Sequence, residues 1–242
     1  MVSFEKVVDE YDAARPAYPD SLFDHLGGLV GVRVIEGGAG TGIATRALLD
    51  RGASVVPFDV SAVLLARAVT HSPGLRAVVA DGAMLPFTDN CADLICFAQS
   101  WHWLQPGLRC VEASRVLVPG GRWAGWWSHA RADGEEWFDR YWTALESSCP
   151  GLHRSQRDTN WGSELDESRL FVSVERVIEP WTREVSINDW LTDQASHSYV
   201  AALGPTASTR LLDSLRHILD EGFPSGQLRV PYETWLWTAR GT

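Results

Sequence analysis

A carboxylate followed by alternating glycines, Glu36-Gly37-Gly38-Ala39-Gly40-Thr41-Gly42, is the stretch of this chain best equipped to hold a ligand. Glycine allows a sharp turn from strand to helix and lets backbone N–H groups approach a ligand with no Cβ in the way. The flanks have the matching pattern: an apolar run (Val32, Val34, Ile35) before Glu36, and a helical pattern (Ile43, Ala44, Ala47, Leu48, Leu49) after Gly42. The dinucleotide fingerprint G-x-G-x-x-G/A fails in both frames, because its sixth position falls on Ile43 or Thr45. A carboxylate at the strand end repels a pyrophosphate and attracts an ammonium. The ligand expected here is nucleotide-like, carries an ammonium and lacks phosphate.

A second carboxylate, Asp59, closes the next apolar run (Ala53 to Phe58) and follows Gly42 near the offset of roughly 20 residues at which a carboxylate takes both ribose hydroxyls. Ser61 can cap the helix after it, so Asp59 can also serve as an N-terminal charge favoured by the helix dipole.

These side chains need a sheet edge to hold them. Strands are expected at 76–80, 94–98 and 122–127, a longer one at 170–186 and a last one at 227–239. Helices are expected at 4–14, from Asp20 to Leu26, and at 63–69, 106–117, 187–192, 198–203 and 207–219, with an aromatic helix through Trp137, Phe138, Tyr141, Trp142 and Leu145. Strand and helix alternate through the first five strands, and the last strand alternates apolar and polar (Leu228, Val230, Tyr232, Trp235, Trp237), which suits an antiparallel partner. The order predicts an α/β fold: a doubly wound, mostly parallel seven-stranded sheet with one antiparallel strand and its ligand at the C-terminal edge.

The acidic-x-G-x-G-x-G loop resembles motif I of the class I S-adenosylmethionine (SAM)-dependent methyltransferases. SAM has an ammonium and no phosphate. The resemblance extends to D-G-A-M-L-P-F after strand three, to Asp93 before strand four, and to V-L-V-P-G-G before strand five. The opening Y-x-x-x-R-P-x-Y-P is similar to the N-terminal segment of small-molecule enzymes of the type 11 group, which includes trans-aconitate methyltransferase-like proteins. The resemblance implies a Rossmann-like single domain over 1–242, with 32–127 as the SAM-binding half and 128–170 as a substrate or lid insertion.

It also implies roles. Glu36, Gly38, Gly40, Thr41 and Gly42 would surround the methionine end of SAM, Asp59 and Val60 the ribose side, and Asp81, Gly82 and Ala83 the adenine. Gln99, Tyr11 and Arg15 would complete the cofactor site, with the N-terminal segment as a lid, while Tyr18, Trp101 and Trp103 would line the acceptor pocket. His102 is the candidate catalytic base, since an imidazole with an ordinary pKa of about 6.5 can take a proton near neutrality. Strand alternation would turn it from the cleft if Trp101 and Trp103 face inward, unless the chain has already left the strand. Asp93 is expected to be structural.

Composition narrows the partners. A formal charge of −10 argues against a phosphate-tracking surface, so no nucleic-acid partner is expected. The apolar runs are too short for a membrane span and the start, M-V-S-F-E-K, is no signal peptide, which points to the cytoplasm. Cys91, Cys96, Cys110 and Cys149 form no Cys/His cluster, so free thiols are expected and no metal. The reaction expected is in-line methyl transfer from SAM to a small molecule, leaving S-adenosylhomocysteine. Two alternatives stand: a methyltransferase for RNA or protein, which the charge and A-Q-S-W in place of an N-P-P-Y-type motif disfavour, and a SAM-binding protein without catalysis.

Overall fold

The computed structural model describes residues 15–242, so Tyr11 and the helix expected over 4–14 lie outside the described residues. The strands are β1 Arg33–Gly37, β2 Ser54–Asp59, β3 Val78–Val79, β4 Ala92–Ala98, β5 Leu117–Ala130, β6 Phe171–Ser186 and β7 Gln227–Gly241. They form one sheet in the order β3-β2-β1-β4-β5-β7-β6. β1 to β5 pair in parallel. The sheet as a whole is mostly parallel with one antiparallel pair, the architecture expected from the strand and helix order.

The described residues fall into two compact units, one of 17–128, 160–179 and 234–242 and the other of 15–16, 129–159 and 180–233. The predicted insertion therefore contributes 129–159 to one unit and 128 and 160–170 to the other. In the first unit, α1 Asp20–Asp24 precedes β1, and α2 Ile43–Asp50, α3 Ala62–His71 and α4 Leu108–Val116 lie between strands. Ile35, Phe58, Ile95, Phe97 and Trp123 belong to one core cluster, and Val34, Leu48, Leu94, Cys96, Ala124 and Trp126 to another. Neighbouring residues thus go to opposite faces, and with both faces covered the strands read as continuous apolar runs. The second unit has its own core, in which α5 Glu136–Ser148 supplies Phe138, Tyr141 and Leu145 and α9 Pro205–Gly222 supplies Leu211, Leu215 and Leu219. Between α5 and α9 come α6 Gly162–Ser168, α7 Ile187–Ser196 and α8 Ser198–Ala201.

Several boundaries differ from the sequence reading in ways that matter for the site. β4 begins at Ala92 rather than Leu94 and stops at Ala98 as expected, and Trp101–Trp103 beyond it is a 3-10 turn. β3 is reduced to Val78–Val79. β5 begins at Leu117, and the V-P-G-G stretch is a bulge within it: Ala92 pairs with Leu117, but Leu94 pairs with Arg122. Asp93 is structural as expected, accepting Arg33 N at 2.9 Å and the Arg33 guanidinium at 2.9 and 2.7 Å across β1 and β4.

Candidate active site

The loop after β1 is shaped by backbone that only glycine adopts easily. Gly38, Gly40 and Gly42 have φ of +64°, +56° and +82°. At Gly38 a Cβ would sit 2.4 Å from the Cβ of Ser100, so the position has no room for a side chain. Glu36 is 1% exposed. Its Oε2 accepts Thr45 Oγ1–H at 2.5 Å from the first turn of α2, while its Oε1 is buried without a hydrogen-bond partner among the described residues. Burial pushes the Glu36 carboxyl up to about 7; the Thr45 hydrogen bond opposes this, Asp59 adds to it and Arg46 opposes it. Thr41 Oγ1 is likewise buried and unpartnered.

The neighbouring strand ends are wired to this loop. Asp59 closes β2, with Oδ2 accepting Gly40 N at 2.9 Å and Oδ1 accepting Ser61 N at 2.9 Å. Burial raises its pKa, and the amides of Ser61, Gly40 and Val60 hold it back. Past β3, exposed Asp81 folds its own turn, Oδ1 accepting Ala83 N at 2.9 Å. Gly82 is buried, and a Cβ there would lie 2.4 Å from Leu104. Val60 and Met84 leave apolar side chains 66% and 82% exposed beside these carboxylates in the chain.

At the end of β4 the backbone is strained: Gln99 is a half-buried non-glycine residue with φ of +54°, a conformation that usually marks a functional turn. Ser100 Oγ donates to Gly37 O at 2.5 Å, which fastens the turn to the glycine loop. Trp101 then points into the core, fully buried, with ring centroids 4.6 Å from Phe97 and 5.1 Å from Trp123. His102 and Trp103 face outward. Beneath the turn, Arg109 donates to Trp101 O at 2.8 Å and Leu104 O at 3.3 Å and pairs with Glu164 at 2.5 Å; Glu164 also accepts Trp101 Nε1–H at 3.1 Å.

The chain's comparisons with known proteins agree with this geometry. A family model described as a methyltransferase domain matches residues 35–124, the segment from Glu36's strand into β5. An uncharacterized methyltransferase of Mycobacterium tuberculosis is 31% identical over 236 residues, 96% of this chain and 93% of that one. A demethylmenaquinone methyltransferase of Beutenbergia cavernae is 35% identical over 103 residues, covering 42% of this chain and 43% of that one. The fold is shared with phosphoethanolamine N-methyltransferase 2 of Haemonchus contortus, solved with phosphomonomethylethanolamine and S-adenosylhomocysteine, at a TM-score of 0.56 and 16% identity over 100% of this chain and 60% of that one. This chain belongs to the class I SAM-dependent methyltransferases.

The residues of this methyltransferase fit such a cofactor. The buried, unpartnered Glu36 Oε1 is an acceptor left waiting for a donor, and the positive-φ glycines hold backbone open beside it. Glu36, Gly38, Gly40, Thr41, Gly42, Asp59, Val60, Asp81, Gly82, Ala83 and Gln99 all lie at the C-terminal ends of β1 to β4.

Two expectations change, at Trp101 and His102, and two further predicted residues, Arg15 and Tyr18, are found beside protein partners. Trp101 has no exposed surface and is a core residue rather than a pocket wall. The chain has left the strand before His102, which resolves the alternation question: Trp101 is inside, His102 and Trp103 outside. Trp127 Nε1–H donates to His102 Nδ1 at 3.2 Å, so that lone pair is occupied and the base role falls away. Burial first and the Arg109 cation second push the His102 pKa down to about 4, although the exposed side of the ring lets solvent oppose part of that shift. Arg15 meets Asp193, the counter-charge that a half-buried guanidinium needs, at 3.4 Å and His197 Nε2 at 3.5 Å. Tyr18 packs edge-on against Trp126 at 5.7 Å.

Sequence reasoning missed Thr45, Met84, Ser100, Arg109, Trp161 and Glu164. A threonine three residues past Gly42 and a methionine inside D-G-A-M were available signals. Trp161 and Glu164 sit in the irregular stretch and carried none.

Proposed function

We propose that this chain transfers a methyl group from SAM to a small-molecule acceptor in the cytoplasm. The observation that carries the reading is the buried Glu36 carboxyl with one oxygen unpartnered beside the glycine loop, because an orphaned buried acceptor is costly unless a ligand donor completes it. Glu36 would take the ammonium of the methionine moiety, Asp59 the ribose hydroxyls and Asp81 the adenine amino group, with Val60 and Met84 as apolar cover for the ring. When bound, SAM supplies a methyl already activated by its sulfonium, so the protein's contribution is alignment and tolerance of positive charge. The exposed Trp103 offers an aromatic face suited to that charge.

A small acceptor is supported by the net charge of −10 and by the name of one relative, which specifies demethylmenaquinone. Four cysteines free of disulfides suit a reducing compartment. Isothermal calorimetry tests the cofactor: SAM and S-adenosylhomocysteine should bind without added metal and NADH should not. Asp59→Ala should weaken binding by about 1.5–3 kcal/mol, the range for a lost charge-assisted hydrogen bond. Transfer of label from methyl-labelled SAM into a metabolite extract tests the acceptor class; label found only in RNA or protein would refute it.

A further inference from the structure

An indole nitrogen only donates hydrogen bonds. With Trp127 Nε1–H on Nδ1 at 3.2 Å, a neutral His102 must carry its single proton on Nε2. We infer that Trp127 fixes His102 as an Nε2–H donor, and that this donor seats an oxygen of the methyl-acceptor molecule; the inference rests on the methyltransferase reading above.

Both partners of that hydrogen bond are held independently. The Trp127 ring is stacked on Trp161 at 4.9 Å and 14°, and Trp237 meets it edge-on at 5.6 Å. Trp237 is itself tied down, Nε1 donating to Asn160 Oδ1 at 3.3 Å. The 3-10 turn that carries His102 is fixed from below by Arg109 on the carbonyls of Trp101 and Leu104. A phenylalanine at 127 could fill the stack but could not choose the tautomer.

The other ring nitrogen, Nε2, belongs to a residue that is exposed as a whole. His102 is exposed, and the neighbouring Trp103 ring, 59% exposed, lies 4.9 Å from it, so a donor sits beside an indole. The charged group that acts on it among the described residues is Arg109, which pairs with Glu164. Burial first and the Arg109 cation second disfavour an imidazolium and leave the neutral donor as the working form. Two consequences follow. An acceptor bound here offers an oxygen lone pair, as a carboxylate or ketone does. His102 does not receive a proton from the nucleophile, and Trp127 is a positioning residue acting through it.

The test uses the full-length protein labelled with ¹⁵N-histidine and saturated with S-adenosylhomocysteine, with long-range ¹H–¹⁵N spectra at pH 7 and His102→Gln to assign the signals. Nε2 should be protonated and Nδ1 bare. Benzoate and acetophenone should shift the Nε2 resonance, while benzylammonium should leave it in place. In Trp127→Phe, the Nδ1–H form should appear and the benzoate dissociation constant should rise about tenfold, as expected for one lost, preorganised hydrogen bond. An Nδ1–H or doubly protonated ring in the wild type, or no Nε2 shift with either oxygen ligand, would overturn the inference. The wild-type spectrum decides the tautomer even if Trp127→Phe fails to fold. Failure of S-adenosylhomocysteine to bind in calorimetry would instead strike the methyltransferase reading, since the tautomer can be read without it.

Discussion

The glycine loop and the W-H-W turn occupy the ends of adjacent strands, yet they are assembled by different means. In the loop, Glu36 finds Thr45 nine residues away and Asp59 finds Gly40 nineteen away. In the turn, His102 finds Trp127 across 25 residues, Arg109 finds Glu164 across 55 and Trp101 finds Glu164 across 63. The loop is a short-range device of backbone conformation and two carboxylates. The turn is a long-range device whose parts have no business together until the sheet has formed. On the function proposed above, a ligand shared by the whole family would be served by the first and the acceptor would meet the second.

Removing Glu164 should produce the largest effect and is the sharpest way to break this contrast. Glu164→Ala would leave the buried Arg109 guanidinium without its carboxylate and Trp101 Nε1 without its acceptor. Urea denaturation should register a loss of about 3–5 kcal/mol. A loss under about 1 kcal/mol would mean that the turn is held locally, like the loop.

Glu36→Gln probes the loop through pH. In the wild type the folded pKa of about 7 lies above the ordinary value of 4.5, so the folded state prefers the protonated carboxyl. Stability is therefore full below about 4.5, falls as pH rises and has lost the whole contribution above about 7, roughly 3 kcal/mol in all. The glutamine variant should be free of this fall, and more stable than wild type at pH 8 by a similar amount. SAM affinity should show the opposite dependence: in the wild type it rises with pH through about 7 as the carboxylate forms, and in Glu36→Gln it is weaker and flat. Stability curves and calorimetry between pH 5 and 8 check both; parallel pH profiles for the two proteins would exclude titration of Glu36.

Trp103→Ala should have the smallest effect on the fold and so separate chemistry from architecture. With 59% of the residue exposed, its removal should change thermal stability by no more than about 0.5 kcal/mol. Turnover of any acceptor identified with labelled SAM should still fall, chiefly through KM. Unchanged KM would take Trp103 out of the acceptor site.

The sequence by itself determined the sheet and the loop, because both are written in local terms. Alternation of apolar runs with helical periods specifies the order of elements, and the acidic-x-G-x-G-x-G run specifies a turn only glycine adopts cheaply, with Asp59 at a distance set by one helix and one strand. Even there, the proton on Glu36 was invisible, since its pKa depends on burial. The tertiary structure alone decided which way Trp101, His102 and Trp103 turn, because β4 ends at Ala98 and the residues beyond it follow a 3-10 turn rather than strand alternation. It also decided that Arg15 meets Asp193, that Arg109 is buried on Glu164, and that Trp127 reaches His102 Nδ1. Each is a choice of partner between residues far apart in the chain. Such choices are made by packing, which no local pattern of residue types encodes.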